Sequence, residues 1–290
     1  MKLLFIINQS SGKNTPNWQP VVEDYFNDKN HVIKIVNLDE SCTRKKVIAQ
    51  LDEFKPQRVV VIGGDGTVKF AASCLLNKHI PLAIIPAGSA NGLAKELGVP
   101  TDVDKAFQLA TDGSCRSIHL VKINDELCIH LSDIGFNAFV IKKFENEAGR
   151  GMWGYIKASW KVLWQHEKMM VNLEVSGKII KKSAAMIVIA NATRYGSGAT
   201  INPQGDLGDE LFEVIIVKKI SFKEIYKMMV SHLSFDPTKT EVYQTQSLKI
   251  SSTVKAHFQV DGEYLGKINE VNAKILPAAL DIIVPPAIIK

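Results

Sequence analysis

The stretch Arg58-Val-Val-Val-Ile-Gly-Gly-Asp-Gly-Thr67 sets the fold of this chain. Val59 to Ile62 are four β-branched residues in a row, which suits a strand covered on both faces of a parallel sheet. Gly63, Gly64 and Gly66 predict a turn with positive φ and close backbone approach. Thr67 is the expected N-cap of a helix over Val68–Leu76. Amide groups and the positive end of that helix would then face whatever lies over the glycines, which describes an anion site. Asp65 is the one charged group in the turn. A carboxylate there makes sense if the anion brings a divalent cation. A lone Gly-Gly pair is equally the tight βα turn of any doubly wound sheet, so the flanking sequence has to decide.

Upstream, Leu3–Ile7 reads as a strand that ends in Asn8-Gln-Ser-Ser-Gly-Lys13. It is too short for the apolar region of a signal peptide. Helices are expected at Trp18–Phe26 and, capped by Thr43, at Thr43–Phe54, with a strand at His31–Leu38 between them. Downstream come a strand at Leu82–Ile85, the turn Pro86-Ala-Gly-Ser-Ala-Asn91, and helices at Gly92–Leu97 and Asp104–Ala110. Strands alternating with helices imply a doubly wound α/β domain that binds ligands at the carboxyl ends of its strands.

The texture changes near residue 115. Ser117–Ile123, Leu127–Ser132, Val171–Val175, Ala184–Ala190, Leu211–Val217, Leu248–Ser252 and Ala256–Val260 read as strands joined by polar turns. One or two helices, at Trp153–Glu167 and Phe222–Ser231, interrupt them. This is a β-rich, sandwich-like second domain. The expected boundaries are 1–116 and 117–279, with Leu280–Ile289 an extra strand.

Composition narrows the function. The chain has 290 residues and a formal net charge of +5, which suits anionic partners such as nucleotides or acidic lipid headgroups. No zinc-finger spacing, basic arm or stacked-aromatic motif supports nucleic acid. Cys42, Cys74, Cys115 and Cys128 lack metal-ligand spacing, so reduced thiols in a cytoplasmic chain are expected. No apolar run approaches the length of a membrane span.

Three turns of glycine or small residues follow three strands of the first domain: Asn8 to Gly12, Gly63 to Thr67, and Pro86 to Asn91. In a parallel sheet all three lie on one edge, and their convergence points to a nucleotide polyphosphate site. None is a Walker A loop, because Gly12-Lys13 lacks the upstream glycine, and no Gly-x-Gly-x-x-Gly occurs.

Asn8-x-x-Ser11-Gly12, Gly63-Gly-Asp-Gly-Thr67, Pro86-x-Gly-Ser-x-Asn91-x-x-Ala94 and Asp261-Gly-Glu263 follow one another in the order and spacing of a known family. Together they resemble the diacylglycerol kinase and sphingosine kinase superfamily of lipid kinases. The resemblance implies an α/β nucleotide domain to which the tail 280–290 returns, a β-rich second domain and an active site in the cleft between them. It implies that Asn8, Ser10, Ser11, Gly12, Gly63, Gly64, Asp65, Gly66, Thr67, Gly88, Ser89 and Asn91 hold ATP. Asp65 would hold the phosphate-bound Mg²⁺, and Glu263 would be the general base that takes a proton from the lipid hydroxyl. A second, structural Mg²⁺ would sit at Asp209, with backbone carbonyls of Asp206 and Leu211. By itself Asp261-Gly-Glu263 is also what a hairpin turn with two solvated acids looks like.

The chain departs from the family at Lys69 and Phe70, where an Asn or His and then Glu are usual, and at His119, where Asp is common. Its third loop, Ser89-Ala-Asn-Gly-Leu-Ala94, leans towards the sphingosine and ceramide kinase form. Two readings therefore stand: a working lipid kinase with a modified acidic network, and a nucleotide- or lipid-binding protein with impaired catalysis. NAD kinase shares the Gly-Gly-Asp-Gly-Thr turn, but the chain lacks a further segment that family needs.

Trp153, Ile156, Trp160, Leu163 and Trp164 recur at helical spacing beside Lys157, Lys161 and Lys168. Such a stripe suits an interfacial helix on an anionic membrane, or equally a helix packed on a sheet with its lysines in water. The expected partners are a lipid substrate at a membrane surface and an anionic membrane bound peripherally. Nucleic acid is not expected, and homodimerisation is left open.

Overall fold

The computed structural model describes residues 1–12, 16–145, 162, 168–193, 201–221 and 236–286. The helix expected at Phe222–Ser231 and nearly all of the tryptophan stripe lie outside these residues. The chain divides into two compact units, Met1–His119 with Ala278–Lys290, and Leu120–Pro277.

The first unit is a parallel sheet with strand order β2-β1-β3-β4, continued by the last residues of β14. The strands are β1 (Lys2–Ile7), β2 (Val32–Asn37), β3 (Arg58–Gly63), β4 (Leu82–Pro86) and β14 (Glu263–Val284). Ile282 of β14 pairs in parallel with Leu82. Side chains alternate across the sheet, and both faces are covered. Leu3, Phe5, Ile7, Val60 and Ile62 pack with Trp18, Val22 and Phe26 of α1 (Trp18–Phe26) and Phe107 of α5 (Val103–Asp112). Leu4, Ile6, Val59 and Val61, pointing the other way, are also fully buried. α2 (Arg44–Phe54) starts where Thr43 Oγ1 accepts from Lys46 N at 3.4 Å. A short helix, α4 (Gly92–Glu96), follows β4.

Two local expectations change at the central turn. Helix α3 runs over Asp65–Leu75 with Gly64 at its N-cap, so Thr67 lies inside the first turn and does not cap it. Gly63, Gly64 and Gly66 are absent from the residues with positive φ. Gly63 and Gly64 are small because of crowding. A β-carbon on Gly63 would lie 2.5 Å from Thr67 Cβ, and one on Gly64 would lie 3.2 Å from Gly88 Cα.

The second unit is antiparallel and β-rich. Its strand order is β12-β11-β10-β7-β13-β14, with β8 paired to β13 and β9 to β8. The ranges are β7 (Leu131–Gly135), β8 (Met169–Val175), β9 (Lys178–Ala184), β10 (Met186–Ala190), β11 (Phe212–Val217), β12 (Thr240–Thr245) and β13 (Ser247–Val260). The run expected as one strand at Leu127–Ser132 is split, because β6 (Glu126–Cys128) pairs with β5 (Ser114–Ile123) whereas β7 pairs with β10. The two short strands expected at Leu248–Ser252 and Ala256–Val260 are one strand, β13. Its first half pairs with β8 and its end with β7, and its register with β14 shifts between Ser251 and Ala256. A strand that changes partners at a bulge makes the corner of a sandwich. Helix α6 (Phe136–Glu145), which the periodicity did not reveal, follows β7 directly.

Candidate active site

In the order β2-β1-β3-β4, the chain winds one way from β1 and the other way from β3, so the switch point lies between β1 and β3. Register aligns Ile7 with Ile62, and Gly63 with Pro86, so all three turns leave one sheet edge. They are bonded to one another there. Asn8 N donates to Ile62 O at 3.0 Å, and Asn8 Nδ2 donates to Thr67 Oγ1 at 3.1 Å. Ser11 Oγ lies 3.5 Å from the same hydroxyl. Ala87 N donates to Gly63 O at 3.0 Å, and Leu93 N donates to Asp65 Oδ1 at 3.3 Å. Within the first turn, Asn8 Oδ1 accepts from Ser10 N and Ser10 Oγ, and Gly12 takes the positive φ of 89° that glycine tolerates.

Asn91 shapes the third turn. It adopts the left-handed conformation at φ 51°, ψ 49°. Its Oδ1 accepts from Gly88 N at 2.8 Å, and its Nδ2 donates to Gly88 O at 2.7 Å. An asparagine can hold such a conformation because its side chain closes a local ring of hydrogen bonds. Ser89 is exposed at the tip of the turn.

The chemistry of this edge fits an anion that carries a cation. The first-turn amides of α3 have no acceptor within the helix, and Gly66 is exposed, with nothing within 4 Å of where a β-carbon would lie. Ligand backbone contact is therefore open at Gly66, whereas Gly64 and Gly88 are packed against each other. Asp65 is half-buried at the start of α3, and carboxylate oxygens are the donors a hard divalent ion prefers. The cysteines, by contrast, are unsuited to nucleophilic work. All four are free, and burial pushes the Cys42, Cys74 and Cys115 thiols up.

Asp261-Gly-Glu263 belongs to the second unit and is a two-residue hairpin turn. Val260 pairs with Glu263, and the two loop residues have φ 51° and 86°, the signature of a type I′ turn. Asp261, however, is not a solvated acid. Its carboxylate accepts hydrogen bonds from Ile129 N, His130 N and Leu131 N at 3.1, 2.9 and 3.3 Å. Beneath the turn, Gly262 N donates to Gln259 Oε1 at 2.7 Å, and Gln259 Nε2 donates to buried Asp133 Oδ2 at 2.5 Å. Asp133 also accepts from Asn137 Nδ2 at 2.6 Å and Ala138 N at 2.8 Å at the start of α6. Glu263 is the exposed first residue of β14, and this network holds the turn that presents it.

Asp133 and Gln259 escaped the sequence reading. A lone Asp inside an apolar strand was the available signal, but its partner lies 126 residues away.

Asp206 and Asp209 are exposed. Each accepts a backbone hydrogen bond from two residues ahead, Gly208 N and Leu211 N, at 2.9 and 3.0 Å. Among the described residues, no three His, Cys, Asp or Glu side chains are grouped to hold a metal ion.

Comparison with known proteins decides the family. The model of the diacylglycerol kinase catalytic domain matches residues 2–123, and that of the YegS C-terminal NAD kinase beta sandwich-like domain matches residues 133–284. The chain belongs to the diacylglycerol kinase superfamily of lipid kinases. Among relatives of this superfamily, the Escherichia coli O1:K1 protein named "Probable lipid kinase YegS" is 25% identical over 98% of this chain and 96% of its own length. An uncharacterised Synechocystis sp. protein is 29% identical over 83% of this chain, and the match spans 58% of that protein's length. A crystal structure of a diacylglycerol kinase from Bacillus anthracis str. Sterne shares the fold with a TM-score of 0.75, at 20% identity and 99% and 98% coverage of the two chains. Both the doubly wound first unit and the sandwich-like second unit expected from the sequence are those of this lipid kinase superfamily.

Proposed function

We propose that the chain is an ATP- and Mg²⁺-dependent lipid kinase that phosphorylates a hydroxyl of a diacylglycerol-like or sphingoid lipid. The observation that carries this is the bonding of three strand-end turns across the β1/β3 switch point, through Asn8–Thr67, Gly63–Ala87 and Asp65–Leu93. Phosphoryl transfer asks a protein mainly for positioning and charge stabilisation, and a preorganised set of amides supplies both. Asn8, Ser10, Ser11 and Gly12, with Gly63 to Thr67 and Gly88, Ser89 and Asn91, would bind the polyphosphate. Asp65 would hold Mg²⁺, which when bound neutralises charge on the phosphate oxygens. Glu263, exposed on a braced hairpin, would take the proton from the lipid hydroxyl. Both units then serve one reaction, which the lipid enters from an anionic membrane surface on the cytoplasmic side. The second Mg²⁺ at Asp209, with the carbonyls of Asp206 and Leu211, has the support of a tight turn in which Glu210 adopts φ 59°.

One observation favours the impaired-catalysis reading. His119 is buried where the family commonly carries Asp, and the Nζ of Lys69, where Asn or His is usual, is shielded from solvent. The deciding experiment incubates the protein with radiolabelled ATP, Mg²⁺ and mixed-lipid micelles holding several candidate alcohols, with Glu263→Gln in parallel. A labelled lipid whose formation falls by roughly 10²–10⁴ in the variant supports the kinase. ATP binding without labelled lipid in either protein supports the binder.

A further inference from the structure

We propose that a groove on the second unit seats the anionic headgroup of a membrane phospholipid, with none of its lining residues among those assigned to phosphoryl transfer. The groove has a volume of about 400 Å³ and is lined by Lys168, Lys255, Lys267 and His257 together with Val254 and Met170. Among the described residues, no carboxylate lines it. All three lysines are exposed, and none forms an ion pair among the described residues.

The groove is built by the fold. The β13–β14 ladder loses register between Ser251 and Ala256, and the extra residues swing out as a bulge. Ser252 Oγ fixes the bulge by accepting from Val254 N at 3.3 Å. Val254 and Lys255 thereby reach the rim. Lys267 stands opposite His257 in the ladder. His257 forms the floor, stacked on Phe139 with ring centroids 4.2 Å apart and bonded through Nδ1 to Tyr264 Oη at 2.8 Å.

Charge and apolar surface meet here. Val254 is 54% exposed and Met170 42%, two of only six large hydrophobic side chains so exposed among the described residues. A free phosphate would satisfy the lysines and leave Val254 and Met170 in water. A phospholipid satisfies both, its phosphate on the lysines and its glycerol and first methylenes on the apolar rim. The proposal rests on the lipid-kinase reading for its membrane.

The test is sedimentation of the whole chain with phosphatidylcholine vesicles, with and without phosphatidylglycerol, in the absence of ATP and Mg²⁺, so that a failure of catalysis cannot affect the result. The wild type should bind only the phosphatidylglycerol vesicles. Lys255→Glu with Lys267→Glu should cut the partition coefficient at least about tenfold. Val254→Asp should reduce it several-fold. The charge-matched pair Lys122→Glu and Lys181→Glu, exposed on the same unit, should change it less than either. Equal loss in that control pair, equal binding to phosphatidylcholine alone, an unaffected groove variant, or displacement by millimolar inorganic phosphate would each overturn the proposal. Thermal unfolding of every variant checks folding. Where a variant melts, Lys255→Gln with Lys267→Gln decides by the same criterion.

Discussion

Gly64 and Gly88 close the gap between the second and third turns so tightly that a β-carbon on Gly88 would lie 2.5 Å from Gly64 Cα. Real β-carbons do not approach a backbone atom that closely, so Gly88→Ala must push two turns apart. The expected cost is roughly 1–3 kcal/mol of stability, read by denaturant unfolding, together with a loss of ATP binding. Gly66→Ala should behave in the opposite way. Its site is open and lies within helix α3, so the fold should gain up to about 1 kcal/mol, while nucleotide binding weakens if the phosphates pass over Gly66. Opposite signs for stability and affinity in one variant would separate a binding role from a structural one.

Thr67 bonds the first turn to the second. Thr67→Val preserves shape and removes the acceptor of Asn8 Nδ2. The variant should lose about 1 kcal/mol and bind ATP more weakly, as calorimetry would show. An unchanged affinity would mean that the Asn8–Thr67 bond does not preorganise the site.

Asp261 serves three amides of one loop. Removing its carboxylate in Asp261→Ala leaves Ile129, His130 and Leu131 N–H groups without that acceptor, at an expected cost of roughly 1–3 kcal/mol. Asp261→Asn keeps one acceptor oxygen and tolerates the left-handed conformation, so it should be milder. If Glu263 is the base, both changes should lower kcat more than they raise the KM for ATP.

Acid should release one ion cluster of the second unit. Lys182 and Lys218 each lie 2.8 Å from the Glu241 carboxylate and hold its pKa down from 4.5 to about 2. A depressed carboxylate stabilises the fold above its unfolded pKa and loses that contribution as pH falls through its folded value. The stability difference between wild type and Glu241→Gln should therefore be full near neutral pH and shrink between pH 4.5 and about 2. It should not exceed about 1 kcal/mol, because the cluster is partly solvated. Thermal unfolding across that range measures it.

Much of the first unit was legible because its signals are local. Val59 to Ile62 announce a doubly buried strand, Thr43 caps α2, and a turn of small residues follows each of β1, β3 and β4. The central turn differs in detail: its glycines predict positive φ, whereas the need for glycine at Gly64 comes from the neighbouring backbone of Gly88, which no local pattern reveals. In the second unit the gaps are long-range. β14 alternates irregularly along its 22 residues and was read only at its end. Helix α6 follows a fully buried strand, so its apolar residues blend into the run before it. The network of Asp133, Gln259 and Gly262 spans three elements and has no spacing to detect.

The long last strand also bears on how the protein is made. Leu280, Ile282 and Ile283 are buried, and Ile282 lies against β4, yet they are translated more than 150 residues after β4 itself. Until they emerge from the ribosome, β4 keeps an open hydrogen-bonding edge that any other strand could occupy. The nascent first unit thus waits, incomplete, for synthesis of the entire second unit. A gene fragment encoding residues 1–119 alone should yield a protein prone to edge-to-edge association, and supplying residues 278–286 as a separate peptide should suppress it.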